Sequence, residues 1–464
     1  MTAVDVVIMA AGKGVRMKSR LPKVLHRLAG RALLQHVVAS VAALQARRVV
    51  VITGSGADQV EQAVAGWETV GAKPVFVRQE PQLGTGHAVQ QAVPVLPDDG
   101  LTLVLNGDVP LIEAATLKTL LQSGGDRRIA LLTVEIPDPT GYGRIVRSGD
   151  AVRAIVEHKD ATEVQRQIRE VYTGVMVVPN AQLKRWLARL TNDNAQKEYY
   201  LTDIVKLAVD DGADVVAVKT GDKVQVDGVN SPTQLAELER AFQLRQARSL
   251  MEAGVRLADP ARFDLRGQLS CGQDVEIDVN CVFDGTVSLG DGVKIGANCV
   301  IANATIAAGA VIHPFTHIDG EKAGVTVGEG ALIGPFARLR PGAELGAEVH
   351  IGNFVEVKNA KLGRGAKANH LAYLGDAVVG ERVNYGAGSI TANYDGANKH
   401  RTVIEEDVHI GSNSVLVAPV TIGRGGTVGA SSTITKDTPA GALSIARGKQ
   451  VSIPNWQRPK KAPK

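Results

Sequence analysis

The densest chemistry in this 464-residue chain lies near its start, in Met9-Ala10-Ala11-Gly12-Lys13-Gly14-Val15-Arg16-Met17, with Leu21-Pro22-Lys23 just beyond. Gly12 and Gly14 let backbone amides approach phosphate oxygens, and Ala10 and Ala11 leave room for a base or ribose. Lys13, Arg16 and Lys23 add positive charge where a triphosphate would fold back. The glycine spacing is not a P-loop, since no Gly-Lys-Ser/Thr closes it, nor is it a clean G-x-G-x-x-G. On spacing alone, an anion-binding turn and a plain strand-to-loop turn both remain open. Asn106-Gly107-Asp108 adds a carboxylate suited either to a divalent cation or to capping a helix.

A second constellation lies far downstream. Arg338-Leu339-Arg340 and Glu356-Val357-Lys358 bring charge into a region otherwise rich in small and aliphatic residues, and Asn369-His370, Tyr373 and Asn384-Tyr385 follow. A lone histidine is more often a satisfied structural residue than a catalytic one. His370, however, has Arg340, Lys358, Tyr373 and Asn384 at intervals that stacked coils could bring to one edge. Such an edge would suit a phosphorylated, amine-bearing sugar.

Two unlike scaffolds must position these groups. Over the first 230 residues, short apolar runs (Val4–Met9, Val49–Thr53, Pro74–Val77, Leu101–Leu105) alternate with helical spacing (Leu33–Leu44, Ala57–Ala65, His87–Val93). Alternating β and α implies an α/β, doubly wound, Rossmann-like parallel sheet covered on both faces, with ligands at the carboxyl ends of its strands. Ser231-Pro232-Thr233 starts a connecting helix, expected over Gln234 to Glu252 within a linker at 231–254. From about Val275 to Ile434 a six-residue beat takes over, with aliphatics at Leu289, Ile295 and Ile301, at Val327, Ile333, Leu339, Leu345, Ile351 and Val357, and at Ile410, Leu416, Ile422, Val428 and Ile434. That period fits neither a helix nor hairpins; it predicts a parallel β-helix of roughly nine coils within residues 255–464. Two interruptions, His317–Gly324 and Thr391–Arg401, are expected excursions on one face.

Composition bounds the partners. The net charge is +4 and scattered, and the one basic run, Arg458 to Lys464, reads as a solvated, disordered tail, so nucleic acid is not indicated. No stretch approaches the ~20 apolar residues needed to span a bilayer, and Val6 to Ala11 is too short for a signal peptide. Cys271, Cys281 and Cys299 lack paired metal spacing and read as reduced thiols of a cytosolic protein.

Together, Ala-Ala-Gly-x-Gly-x-Arg-Met and Leu-Pro-Lys resemble the signature of sugar-phosphate nucleotidylyltransferases. With the downstream segments, the order and spacing resemble the bifunctional bacterial enzymes of UDP-N-acetylglucosamine synthesis, from the first loop to Arg447. The resemblance implies an acetyl-CoA-dependent N-acetylation of glucosamine 1-phosphate on a left-handed β-helix. Uridylyl transfer from UTP to N-acetylglucosamine 1-phosphate would follow in the first domain, supplying precursors of peptidoglycan and lipopolysaccharide. It assigns UTP or UDP-N-acetylglucosamine binding to Met9, Ala10, Ala11, Gly12, Lys23, Gln79, Gly84, Thr85, Asn106, Gly107, Asp108, Gly143, Glu157, Tyr172 and Asn230. Asp108 and Asn230, in Gly228-Val229-Asn230, would hold Mg²⁺; Arg16 and Lys23 would act on the phosphates, and His370 would be the general base of acetylation. Arg340, Lys358, Tyr373 and Asn384 would hold the sugar phosphate, and Ala387, Asn393, Tyr394, Lys399, Ser412, Ala430 and Arg447 the acetyl-CoA. The family is cytoplasmic and homotrimeric, with each acyl site shared between neighbours. One departure is Tyr172, where the family usually has Asn before Thr173-Gly174; it puts one sugar contact in doubt.

Two other readings compete. A single-activity nucleotidylyltransferase could carry a β-helix for assembly alone, but the extent of the hexads and the Arg340, Lys358 and His370 set argue against it. A regulatory subunit on the same folds would be expected to lose catalytic positions, yet Gly12, Arg16, Lys23 and Asp108 are all present.

Overall fold

The computed structural model of the chain describes residues 2–67 and 73–459; positions 460–464 of the basic tail lie outside them. The chain divides into two compact units, Met1–Phe242 and Gln243–Lys464. The division falls inside one helix, Pro232–Glu252, which starts at the proline expected of a first helical position.

The first unit is built on a nine-stranded sheet. In chain order its strands are β1 (Val4–Met9), β2 (Arg48–Thr53), β3 (Pro74–Arg78), β4 (Leu101–Asn106), β5 (Arg128–Glu135), β6 (Arg144–Ser148), β7 (Ala151–Val156), β8 (Glu170–Pro179) and β9 (Asp214–Thr220). Their order across the sheet is β9-β5-β8-β4-β1-β2-β3, with β6 pairing both β8 and β7. β1 lies parallel to β2 and β4, and β2 to β3. The four strands read from the sequence are parallel as expected; the rest of the sheet is mixed, since β8 runs antiparallel to β4 and β5, and β6–β7 is an antiparallel hairpin. Apolar residues alternate between two cores. Val6, Ile8, Leu103 and Leu105 join one, whereas Val7, Val50, Ile52 and Val104 join the other, so both faces of the sheet are covered. The helices are shorter or shifted relative to the periodic pattern, at Leu33–Ala42 and Thr85–Gln90. The second begins early because Gly84, at φ 110°, turns the chain into it, and a Cβ there would meet the Tyr199 carbonyl at 2.6 Å.

The second unit is a left-handed β-helix of hexapeptide repeats. One side stacks 11 strands in parallel, from Arg256–Leu257 to Leu443–Ser444. The solenoid thus starts before Val275 and ends after Ile434, because its terminal coils use residues outside the clean aliphatic beat. Within the beat, Ile301, Val327, Ile333, Leu339, Val357, Leu416 and Ile422 are fully buried. Each such side chain contributes about 1.5–3 kcal/mol, and only stacking of neighbouring coils buries it. The first excursion is narrower than expected: His317–Asp319 stays in the coil as a strand, its Ile318 being buried beside Ile301. The second likewise leaves Thr391 and Ala392 in a strand, so the departing loop runs over 393–401.

Candidate active sites

In the first unit, β1 and β4 end side by side, pairing Met9 with Asn106. The loops leaving them bound two adjoining cavities of about 450 and 370 Å³. The larger is lined by Met9, Ala10, Ala11, Gly12, Lys13, Lys23, Gln79, Gln82, Gly84, Thr85 and Glu198, among others. The smaller is lined by Arg16, Thr140, Tyr142, Gly143, Glu157, Tyr172, Thr202, Gly228 and Asn230, among others. Met9, Thr85, Asn106 and Asp108 line both, so the seam between the cavities runs past Asp108. Gly107 lines neither; its amide donates to the Met9 carbonyl and fixes the turn that presents Asp108.

The first loop is pinned by main-chain bonds from Ala10 N to Ile52 O (2.8 Å) and from Ser55 N to Ala11 O (3.2 Å). Gly14, at φ 58°, has Lys23 against it, and an added Cβ would lie 2.8 Å from Lys23 Cβ. The glycine requirement is steric there, whereas Gly12 faces open space. Gln79 is buried and its Nε2 donates to Gly84 O at 2.9 Å, holding the second loop.

Lys23 Nζ lies 2.5 Å from Asp108 Oδ2 and 3.1 Å from Asn230 Oδ1. Two oxygens far apart in sequence therefore converge on one positive charge at the seam. A magnesium ion takes one or two protein oxygens and fills its shell with water and phosphate, so this donor pair fits that ion.

The smaller cavity carries the perturbed carboxyl. Glu157 Oε1 accepts from Thr202 Oγ1 at 2.9 Å. Burial pushes its pKa above the usual carboxylate range, opposed by the Thr202 hydrogen bond and reinforced by Asp203 and Asp160. Tyr172 is buried, its phenol pKa raised well up by burial and secondarily by Glu157, and its hydroxyl has no hydrogen-bond partner among the described residues. Sequence reading missed Gln82, Glu198 and Thr202, which come to the cavities from connecting segments without motif character, and assigned only Gly143 of the segment that also brings Thr140 and Tyr142.

In the second unit, coil register groups the charged residues. Arg338, Glu356, Tyr373 and Ile390 succeed one another across adjacent strands. Arg340 Nη1 donates to Glu356 Oε1 at 2.7 Å. The Lys358 pKa is lowered by the positive charge of Arg340 and then of Lys399, which places the three cations together. His370 and Asn384 belong to a different stack of strands, the one containing His350–Asn353. His370 Nδ1 lies 2.9 Å from Asn353 Oδ1. An amide oxygen accepts, so this contact suits a ring that donates from Nδ1, and in the neutral ring of that tautomer Nε2 is the basic nitrogen.

Downward from His370, main-chain bonds step from Gly388 N to His370 O, Asn413 N to Ala387 O, and Ser431 N to Ser412 O. His370, Ala387, Ser412 and Ala430 thus form one column of small side chains below an imidazole. Arg447 Nη1 donates to Ala430 O at 2.8 Å at its far end. The loop carrying Asn393, Tyr394 and Lys399 is tied down by Asn393 Nδ2 donating to Asp376, and by Asp395 accepting from the amides of Ala397 and Asn398. Asn353 and Asp376 were not singled out from sequence, and Glu356 was noted only for its charge; the pairing register shows what they support.

The fold and these sites define a nucleotidyltransferase joined to a hexapeptide-repeat transferase. Residues 6–175 match the MobA-like NTP transferase domain family, and 324–359 and 401–436 match the bacterial transferase hexapeptide repeats. The bifunctional protein GlmU of Polaromonas naphthalenivorans is 74% identical over 99% of this chain and 98% of its own length. The GlmU proteins of Acidovorax sp. strain JS42 and Cupriavidus pinatubonensis are 71% and 58% identical, covering 100% and 99% of this chain and the whole of their own. The chain belongs to the GlmU family. It is an enzyme with uridylyltransferase and acetyltransferase activities.

Proposed function

We propose that the β-helix N-acetylates glucosamine 1-phosphate with acetyl-CoA, and that the amino-terminal unit then joins the product to UMP from UTP. The observation that carries this reading is the seam at Asp108, where a nucleotide-sized cavity meets a sugar-sized one and Lys23, Asp108 and Asn230 converge. We assign the nucleotide to the Met9–Gly12 side with Gln79, Gly84 and Thr85, and the sugar to the side of Gly143, Glu157 and Tyr172. The sugar 1-phosphate oxygen attacks the α-phosphorus, the bond to the bridging oxygen breaks, and pyrophosphate leaves. Such a step needs mainly alignment and charge neutralisation. Arg16 and Lys23 supply fixed positive charge, and Asp108 with Asn230 would hold Mg²⁺. When bound, that ion would neutralise phosphate oxygens.

In the β-helix, His370 Nε2 takes the proton of the glucosamine nitrogen as that nitrogen attacks the thioester carbonyl; the C–S bond breaks and CoA leaves as the thiol. The Nδ1 contact with Asn353 Oδ1, which favours the tautomer with a basic Nε2, supports this role. Arg340 and Lys358 bind the sugar phosphate, and Tyr373 and Asn384 the sugar. The column Ala387, Ser412 and Ala430, ending at Arg447, offers a strip low enough for a pantetheine arm, with Asn393, Tyr394 and Lys399 beside it. We assign domain limits of 1–230, 231–254 and 255–464.

A homotrimer with shared acyl sites is part of the proposal. What supports it is a ladder of exposed rings on one edge, Phe315, Phe336 and Phe354, stacked at 5.0 and 5.5 Å, with exposed Leu371 next to His370. Exposed apolar ladders of this kind favour a covering neighbour. Among the described residues no helix is long and apolar enough to cross a membrane, and we place the enzyme in the cytoplasm with its substrates. Incubating the protein with UTP, acetyl-CoA, glucosamine 1-phosphate and Mg²⁺ tests the reading. CoA thiol and pyrophosphate should both be released, and pyrophosphate release should require prior acetylation. Pyrophosphate release without acetyl-CoA would reject the order.

A further inference from the structure

We infer that Arg144 is a positioning residue of the sugar subsite, holding the walls on which Gly143 and Glu157 stand through the Tyr142 carbonyl and the His158 ring. The inference rests on reading the 370 Å³ cavity as that subsite. Arg144 sits where three strands meet, opposite Val156 of β7 and Val171 of β8. One residue along, Gly143 is flanked by Glu157 on one side and by Tyr172 on the other, and Tyr172 N donates to Gly143 O at 2.9 Å. Three cavity-lining residues are therefore aligned across the sheet by the pairing of Arg144.

The side chain adds a second tie. It is 1% exposed. Its Nη1 donates to the Tyr142 carbonyl, and Nη2 lies 3.1 Å from His158 Nδ1. Tyr142 precedes Gly143 and His158 follows Glu157, so the guanidinium clasps the neighbours of both lining residues. It does not itself line the cavity. Nε has no partner, and among the described residues no carboxylate lies in ion-pair contact with this group. Burying a cation without a contacting anion disfavours the fold; an apolar side chain would fill the space with less penalty. The two hydrogen bonds, and the loop geometry they fix, are what the guanidinium supplies in return.

The test compares Arg144→Gln, Arg144→Lys and His158→Ala in the full-length enzyme, with KM for each substrate of uridylyl transfer measured separately. Arg144→Gln should raise KM for N-acetylglucosamine 1-phosphate about tenfold or more, leave KM for UTP within about twofold, and leave acetyl transfer unchanged. Arg144→Lys, which keeps the positive charge and a charged donor for one of the two partners, should recover part of the loss. The Arg144→Gln/His158→Ala double variant should be no worse than Arg144→Gln alone, because the two act through one contact. A folded Arg144→Gln enzyme with unchanged sugar KM, or with both KM values rising in parallel, would overturn the assignment. If Arg144→Gln fails to fold, His158→Ala decides: it should show the same sugar-selective rise, and an unchanged KM counts against the role. Wild-type enzyme without uridylyl transfer would instead indict the underlying reading of the cavity.

Discussion

The ammonium of Lys23 lies 2.5 Å from the carboxylate of Asp108, and Asn230 Oδ1 completes its embrace at 3.1 Å. A divalent cation held by both oxygens must share or displace that charge. Lys23→Met should therefore let the nucleotide-free protein bind Mn²⁺ more tightly, on the order of tenfold, while UTP affinity falls. Titration calorimetry would measure both. Unchanged Mn²⁺ affinity would show that the two oxygens are not the metal's ligands.

Glu157 predicts a pH dependence with a definite sign. Its folded-state pKa is raised by burial, so its contribution to stability is full below the unfolded-state value. That contribution is lost as pH climbs from the ordinary carboxylate value through the raised one. Glu157→Gln stays neutral throughout and should show a flatter loss of Tm over that window. The same variant should raise KM for the sugar phosphate about tenfold. Parallel Tm profiles for the two proteins would contradict the shift.

The thiols should be inert. Burial pushes Cys271 and Cys281 to about 11 and Cys299 to about 12, and all three are free. Reactivity follows the thiolate fraction. At pH 8 buried Cys281 and Cys299 should react with a chromogenic disulfide reagent only when the protein is unfolded, and half-buried Cys271 should react slowly in the native protein. Fast labelling of more than one thiol in the native protein would refute the buried placement of Cys281 and Cys299.

Ala387 lies between His370 and Ser412 in the column of small residues. Ala387→Phe should raise KM for acetyl-CoA by about tenfold or more while KM for glucosamine 1-phosphate changes little. Equal effects on both substrates would place acetyl-CoA elsewhere.

What was legible in the sequence follows from what is periodic or local. One inward aliphatic per hexad announced the β-helix, since Ile333, Leu339 and Ile351 have no other way to be buried. The loop Met9–Gly14 carried its own chemistry in residue type. The antiparallel insertion of β8 was not legible, because Val175 to Val178 are buried on both faces and a continuous apolar run carries no direction. Nor were Thr202 beneath Glu157, Asn353 beneath His370, or the bond from Arg144 to His158, which are set by a helix start, by strand register and by a strand end brought together in the fold rather than by any local pattern. The exposed Phe315, Phe336 and Phe354 sit at left-handed corners with φ near 60°, where the hexad beat is silent about side-chain type.

The central claim is that one chain holds two independent reaction centres, and paired product assays on His370→Ala and Asp108→Ala test it most directly. His370→Ala should lose CoA release by about a hundredfold or more while pyrophosphate release from UTP and N-acetylglucosamine 1-phosphate stays near wild type. Asp108→Ala should do the reverse, and added Mg²⁺ should not fully restore it. Both activities falling together in either folded variant, at an unchanged Tm, would contradict the account.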